Sequence, residues 1–250
     1  MTNTPLSTHI NALLAQLHEA AARAVTAEEA NLNQAGTLVY ESLANGGVLH
    51  TFGSGHSQLV AKDIVGRSGA FIATNEIIDR TEDMAEQIEG YGTRLLDYYA
   101  NQYQLQAGEV VIVVSNSGVN PLPIEIAAGA QERGLHTVAI TNVAQSAVLA
   151  SRHSSGKRLF EVASVAISTH APAGEATITL PGATMPVATI ATAVGTALIN
   201  AIIVAAQHQA LQAGTELPVY VSENHGVANA AERNEHLRAQ YQGRLRRFGV

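Results

Sequence analysis

The sequence predicts an α/β fold in which a parallel sheet lies between helical layers, and three observations lead there. Short strands alternate with helix-length segments along most of the chain, the pattern of strands joined by helical crossovers. The segment "EVVIVVS" (109–115) carries β-branched residues at nearly every position, as a strand buried on both faces does. Two of the strand-to-helix turns, "GSGHS" and "SNSGVN", are built from glycine, small hydroxyls and amides.

Each element follows from local pattern. Residues 1–45 are rich in Ala, Leu, Glu and Gln with apolar positions three or four apart, predicting one long or broken amphipathic helix stopped at Gly46 and Gly47. "VLHTF" (48–52) is a short strand, "GSGHS" (53–57) a tight turn, and "QLVAKDIVGRSG" (58–69) a helix closed by Gly69. A second strand is expected at "AFIAT" (70–74), then a loop and helices through the acid-rich segment to Ala107 and Gly108. "PLPIEIAAGAQERG" (121–134) is a helix, while "HTVAIT" (136–141) and "SVAIST" (164–169) are the fourth and fifth strands. A long helix around 185–212 and a polar helix at 229–238 complete the chain. No linker or repeat divides it, so residues 1–250 are expected to form one domain, with an N-terminal helical extension (about 1–45) and C-terminal helices (about 186–250).

Composition narrows the function. Hydrophobic residues make up 46% and charged residues 14%, so many side chains must face other parts of the protein or other subunits. The net charge of −7 argues against coating nucleic acid or an anionic membrane, both of which select a positive face. With no cysteine there is no disulfide, zinc thiolate or thiol nucleophile. The start lacks the basic and apolar blocks of a signal peptide, which reads as cytoplasmic. Residues 185–206 carry no charge, long enough for a bilayer span. However, Thr189, Thr192, Thr196 and Asn200 form a polar stripe suited to a buried or subunit-interface helix, and no Lys or Arg cluster flanks the segment.

Ligands of parallel sheets bind at the carboxyl ends of strands, where the strand order reverses. In a flavodoxin-like order the first and third strands flank that point, bringing "GSGHS" and "SNSGVN" together. Ser54, Ser57, Ser115 and Ser117 then supply hydroxyls, Asn116 and Asn120 supply amides, and helix N-termini supply N–H groups for an anion. Gly, Ser and Asn are also ordinary turn and cap residues, so one such loop alone says little. Two at one switch point favour a phosphate monoester. The G-x-G-x-x-G fingerprint fails at Gln58, and no G-x-x-x-x-G-K-[ST] is present.

The stretches "FGSGHSQLVAKDIVGRSG", "IEGYG", "VVIVVSNSGVNPLPIEIA", "RHSSGK" and "YQGRLRRF" make the chain resemble the sugar isomerase (SIS) domain family over essentially its whole length. Within that family it is most similar to uncharacterised proteins that look like phosphoheptose isomerase. The resemblance implies a three-layer αβα sandwich around a five-stranded parallel sheet and a homodimer or homotetramer with sites near the subunit interface. It also implies a phosphorylated sugar or amino sugar as ligand. By position it makes Ser57 a phosphate serine and gives Ser115, Asn116, Ser117 and Asn120 to phosphate or sugar.

The expected reaction is aldose–ketose isomerisation through an enediolate, which requires a carboxylate or imidazole base and a site closed to water. A lyase or deglycase using the same proton abstraction, or a non-catalytic sugar-phosphate sensor, are the alternatives. Candidates for the chemistry are His56 in the first turn, Asp63 on the following helix, Glu89 in "EGYG" and His225 in "SENHG". The pair Lys62–Asp63 departs from the two acids expected there. Glu82, Asp83 and Glu86 read as a solvated helix face. "RHSSGK" offers His153, Ser154, Ser155 and Lys157 for phosphate or sugar hydroxyls. Metal-ligand spacing is absent, and no cofactor is expected.

Overall fold

A computed structural model of the chain describes residues 5–246 apart from 82, 175 and 225. Helices α1 (Leu6–Ala27) and α2 (Glu29–Ala44) are separated by a break at Glu28 and lead into β1 (Leu49–Gly53). There follow α3 (Ser57–Asp63), β2 (Thr74–Ile77), α4 (Tyr91–Tyr103), β3 (Val110–Val114), α5 (Pro121–Glu132) and β4 (His136–Thr141). Two short helices, α6 (Val143–Val148) and α7 (Leu159–Val162), precede β5 (Val165–Ser168). A hairpin of β6 (Ala176–Ile178) and β7 (Val187–Thr189) then runs into α8 (Ala191–Gln212), and α9 (Ala230–Ala239) ends the order.

The five-stranded sheet is parallel throughout, in the order β2-β1-β3-β4-β5. Its order reverses between β1 and β3, which pair in register from Leu49 with Val110 to Gly53 with Val114. Alternate residues of β3 face opposite layers. Ile112 joins Leu49, Ile140, Val60 and Leu198 under α2, α3 and α8; Val111 and Val113 join Phe52, Leu96 and Ile126 under α4 and α5. The expected sandwich of helices around a flavodoxin-like sheet is what forms.

Three elements differ from the sequence reading. Residues 70–73 are not the second strand; β2 begins at Thr74. The earlier segment pairs instead with the C-terminal region: Ile72 N–H donates to Pro218 at 2.9 Å, and Tyr220 N–H to Ala70 at 2.9 Å. The helix predicted for 58–69 stops at Asp63, because Gly66 and Gly69 adopt positive φ. The long helix starts at Ala191 rather than near Met185, since Pro181 and Gly182 turn the chain into the β6–β7 hairpin.

By length and composition α8 can cross a bilayer, the one such helix among the described residues. Val194, Leu198, Ile202, Ala206 and Ala210 recur along it at helical spacing and are buried against the core. Burial of each large aliphatic side chain is worth roughly 1.5–3 kcal/mol, enough for packing to hold this helix in the helical layer.

Candidate functional site

The pairing of β1 with β3 sets the two glycine- and hydroxyl-rich loops side by side at the carboxyl edge of the sheet. Between them lies a cavity of ≈ 210 Å³. His56 and Ser57 come from the first loop and Asn116 from the second; Thr169, Thr189 and Thr192 complete its polar wall. Val60, Val114 and Ile140 form the apolar floor. Among the described residues the hydroxyls of Ser57, Ser117 and Thr192 make no hydrogen bond to protein, and Ser117 lies next to Asn116 in the second loop.

Backbone geometry keeps the loops tight. A β-carbon at Gly53 would meet Ser57 O at 2.4 Å, so only glycine lets β1 turn directly into α3. Gly118 sits at φ +63°, and a β-carbon there would also meet the Thr141 hydroxyl at 2.8 Å. Ser115 braces this turn: its oxygen accepts the Gly118 N–H at 3.2 Å.

The expected supply of helix N–H groups is redistributed. The N–H groups of Ser57, Gln58 and Leu59 donate back to Ser54, Gly55 and His56, closing the start of α3 on itself. At α5, Pro121 and Pro123 carry no N–H, and Leu122 donates to Glu86 O at 3.2 Å. Thr192, in the first turn of the 22-residue α8, lines the cavity, and its backbone N–H has no acceptor among the described residues. Four N–H groups at a helix start lack intrahelical acceptors, and the positive end of the dipole lies there.

Other predicted residues are engaged by protein groups. The Ser54 hydroxyl donates to Glu86 Oε1 at 2.8 Å, so Glu86 braces the first loop rather than belonging to a solvated helix face. Glu82 and His225 lie outside the described residues. Asp63 pairs with Arg67 and accepts from the Asn200 amide at 2.7 Å, which directs its carboxylate to α8. Glu89 accepts the Ser154 N–H. Asn120 accepts from Arg152 at 2.9 Å, and His153 Nε2 lies 3.7 Å from Glu125 Oε1. Ser155 bonds the His153 ring at 2.7 Å and accepts the Lys157 N–H at 3.2 Å. Loop 152–157 is thus fastened to α5 and the start of α4, and His153, Ser154, Ser155 and Lys157 are not among the residues that line the cavity.

Glu125 is the group in this region that sequence reasoning missed. Buried in α5, it accepts the N–H groups of Gly90 and Thr93 and so caps α4. Thr169 was missed as well. Thr189 and Thr192 read in the sequence as part of a polar stripe, with nothing local to connect them with the loops. No group of three or more His, Asp or Glu is placed to hold a metal among the described residues.

A family model described as SIS domain matches residues 13–142. A UPF0309 protein of Halalkalibacterium halodurans is 31% identical, over 87% of this chain and 88% of its own. Two solved structures share the fold. Phosphoheptose isomerase from Francisella tularensis has a TM-score of 0.55 at 12% identity, and phosphoheptose isomerase GmhA from Neisseria gonorrhoeae has 0.51 at 20%. Each match covers 82% of this chain and 100% of the other. The chain, with its reversed parallel sheet and paired serine-bearing loops, belongs to the SIS domain family.

Proposed function

We propose that the cavity between the first and second loops binds a phosphorylated sugar and that the protein isomerises it between aldose and ketose forms. The observation that carries this reading is the convergence of His56, Ser57 and Asn116 with three threonines on one cavity. Neutral donors and a helix start suit a phosphate better than they suit an uncharged sugar alone. The phosphoheptose isomerases that share the fold support the same ligand class.

Enediolate chemistry removes a proton beside a carbonyl and returns it one carbon away. His56 is the imidazole that borders the cavity and is the proposed base, while Ser57 and Thr192 hold the phosphate. Asp63 and Glu89 are held in protein contacts, and His56 is the one titratable side chain lining this cavity among the described residues. That observation favours a second reading, a sugar-phosphate binder without turnover.

One experiment ranks these readings. A thermal-shift panel of pentose, hexose and heptose phosphates is expected to show stabilisation; ligand at ~100 times its dissociation constant adds about 2.7 kcal/mol. Hits incubated in D₂O and followed by NMR report exchange beside the carbonyl. Exchange supports the isomerase, binding without exchange supports the binder, and no stabilisation by any member rejects both. The apolar residues Leu6, Ile10 and Leu14, exposed along one side of α1, support the homodimer or homotetramer also proposed here, which light scattering checks.

A further inference from the structure

A second cavity of ≈ 350 Å³ is lined by the first loop and shares His56 with the first. Its walls are Gly53, Gly55, Gln58 and Leu59 from the β1–α3 turn, with Asp79 and Asp83 from the segment after β2. No Lys or Arg lines it among the described residues. The two cavities therefore differ in chemistry: one presents neutral hydroxyls, the other two carboxylates.

Asp79 is only 4% exposed, yet it is half satisfied. Its Oδ1 accepts three hydrogen bonds, from Thr81 N–H at 2.8 Å, the Thr81 hydroxyl at 2.7 Å and the Tyr91 hydroxyl at 2.9 Å. Its Oδ2 is buried and has no partner among the described residues. A buried carboxylate oxygen without a donor is unfavourable, and a ligand donor relieves it. Asp83 faces the same space. Its backbone is held at φ +71°, and its Oδ2 lies 3.2 Å from where a β-carbon on Gly55 would stand. Gln58 donates its amide to Glu76 at 3.3 Å, leaving its carbonyl oxygen as an acceptor. Acceptors thus dominate this wall, and the described residues hold no metal-binding group. An ammonium group, with three N–H donors and one positive charge, matches that wall better than a hydroxyl or an acylated nitrogen does.

We propose that the second cavity is an ammonium subsite and that the ligand is a sugar phosphate bearing a free amine, its phosphate in the first cavity and its nitrogen between Asp79 and Asp83. This rests on the sugar-phosphate reading of the first cavity. His56, common to both cavities, then stands beside the carbons that link the two charged ends.

The test is calorimetric binding at pH 7 of glucosamine 6-phosphate, glucose 6-phosphate and N-acetylglucosamine 6-phosphate, and of the corresponding galactose trio. In at least one trio the free amine is expected to bind about tenfold more tightly than its hydroxyl and acetylated counterparts, the size of one charge-assisted contact. Asp79→Asn keeps an oxygen for Thr81 and Tyr91 and places an NH₂ where the free carboxylate oxygen stood. It is expected to erase the preference for the amine. Asp83→Asn, at a left-handed position that asparagine tolerates, is expected to weaken the preference in the same direction. Circular dichroism confirms that both variants fold. Equal binding of amine and hydroxyl forms, or a preference that survives both substitutions, overturns the ammonium subsite and leaves the phosphate reading intact. Absence of binding by every phosphorylated member overturns the phosphate reading, and the subsite with it.

Discussion

At the amino edge of the sheet, His50, Tyr99, Glu109 and Arg244 form a buried network; at the carboxyl edge, Ser57, Ser117 and Thr192 point hydroxyls that no described residue meets. In the network the His50 ring lies 2.7 Å from the Tyr99 hydroxyl and 3.1 Å from Glu109 Oε2. Glu109 also accepts from Val48 and Gln106, each at 2.8 Å, and pairs with Arg244. Asn75 holds the backbone of Arg246 at 3.1 Å, tying the C-terminal segment to the same edge. Polar groups bonded to one another within the protein stabilise the fold, whereas polar groups left open around a cavity are free to meet a ligand. Burial lowers the His50 pKa, so the ring stays neutral, donating to Glu109 through Nε2 and accepting from Tyr99 at Nδ1. Burial alone would raise the Glu109 carboxyl; its bonds to His50, Gln106 and Arg244 outweigh that and bring it to about 2.

The largest expected effect breaks the bonded edge. Glu109→Ala leaves the His50 donor unpaired and Arg244 with the Gln104 carbonyl but no carboxylate, and is expected to remove about 3–5 kcal/mol in urea denaturation. Binding of sugar phosphate to the folded variant should not change. A loss under ~1 kcal/mol would mean the network is not what secures this edge.

Acid follows in magnitude. The Glu109 pKa is depressed on folding, so its contribution is full above the unfolded value of 4.5 and is lost as pH falls toward about 2. His50 acts with the same sign: the unfolded ring takes up a proton below 6.5, so stability declines from there downward. A pH series of urea midpoints should therefore fall in two stages, and Glu109→Gln should flatten the lower one.

Smaller effects belong to the open edge. Ser57→Ala with Thr192→Val is expected to weaken sugar-phosphate binding about tenfold or more, since hydrogen bonds to charged groups contribute about 1.5–3 kcal/mol. The melting temperature of the free protein should barely move, because neither hydroxyl is bonded among the described residues. Ser115→Ala sharpens the contrast. Its hydroxyl serves the Gly118 turn, so the variant should lose about 1 kcal/mol of stability. Its loss of affinity should be smaller than that of the Ser57 and Thr192 pair.

The contrast also explains which parts of the molecule the sequence discloses. β3 was legible because five successive apolar residues of Val110–Val114 are buried on both faces, a local property. The meeting of the two loops followed only once a flavodoxin-like strand order was supposed, because the alternation of strands and helices implies a parallel sheet but does not fix its order. Residues 70–72 misled because Ala70 and Ile72 pair with Tyr220 and Pro218, far along the chain. The β6–β7 hairpin was obscured by the uncharged run around it, although Pro181 and Gly182 marked its turn. Thr169, Thr189 and Thr192 reach the cavity from distant segments, so no spacing rule connects them with Ser57. The binding partners of Asp63 and Glu89 were likewise invisible, since Asn200 and Ser154 are neighbours only in the fold.

The most direct measurement is a crystal structure of the protein with the tightest-binding sugar phosphate of the panel. The phosphate is expected within hydrogen-bond reach of the Ser57 hydroxyl and the first turn of α8, with the sugar beside His56. A phosphate seated instead on loop 152–157, or away from the carboxyl edge of the sheet, would contradict the account.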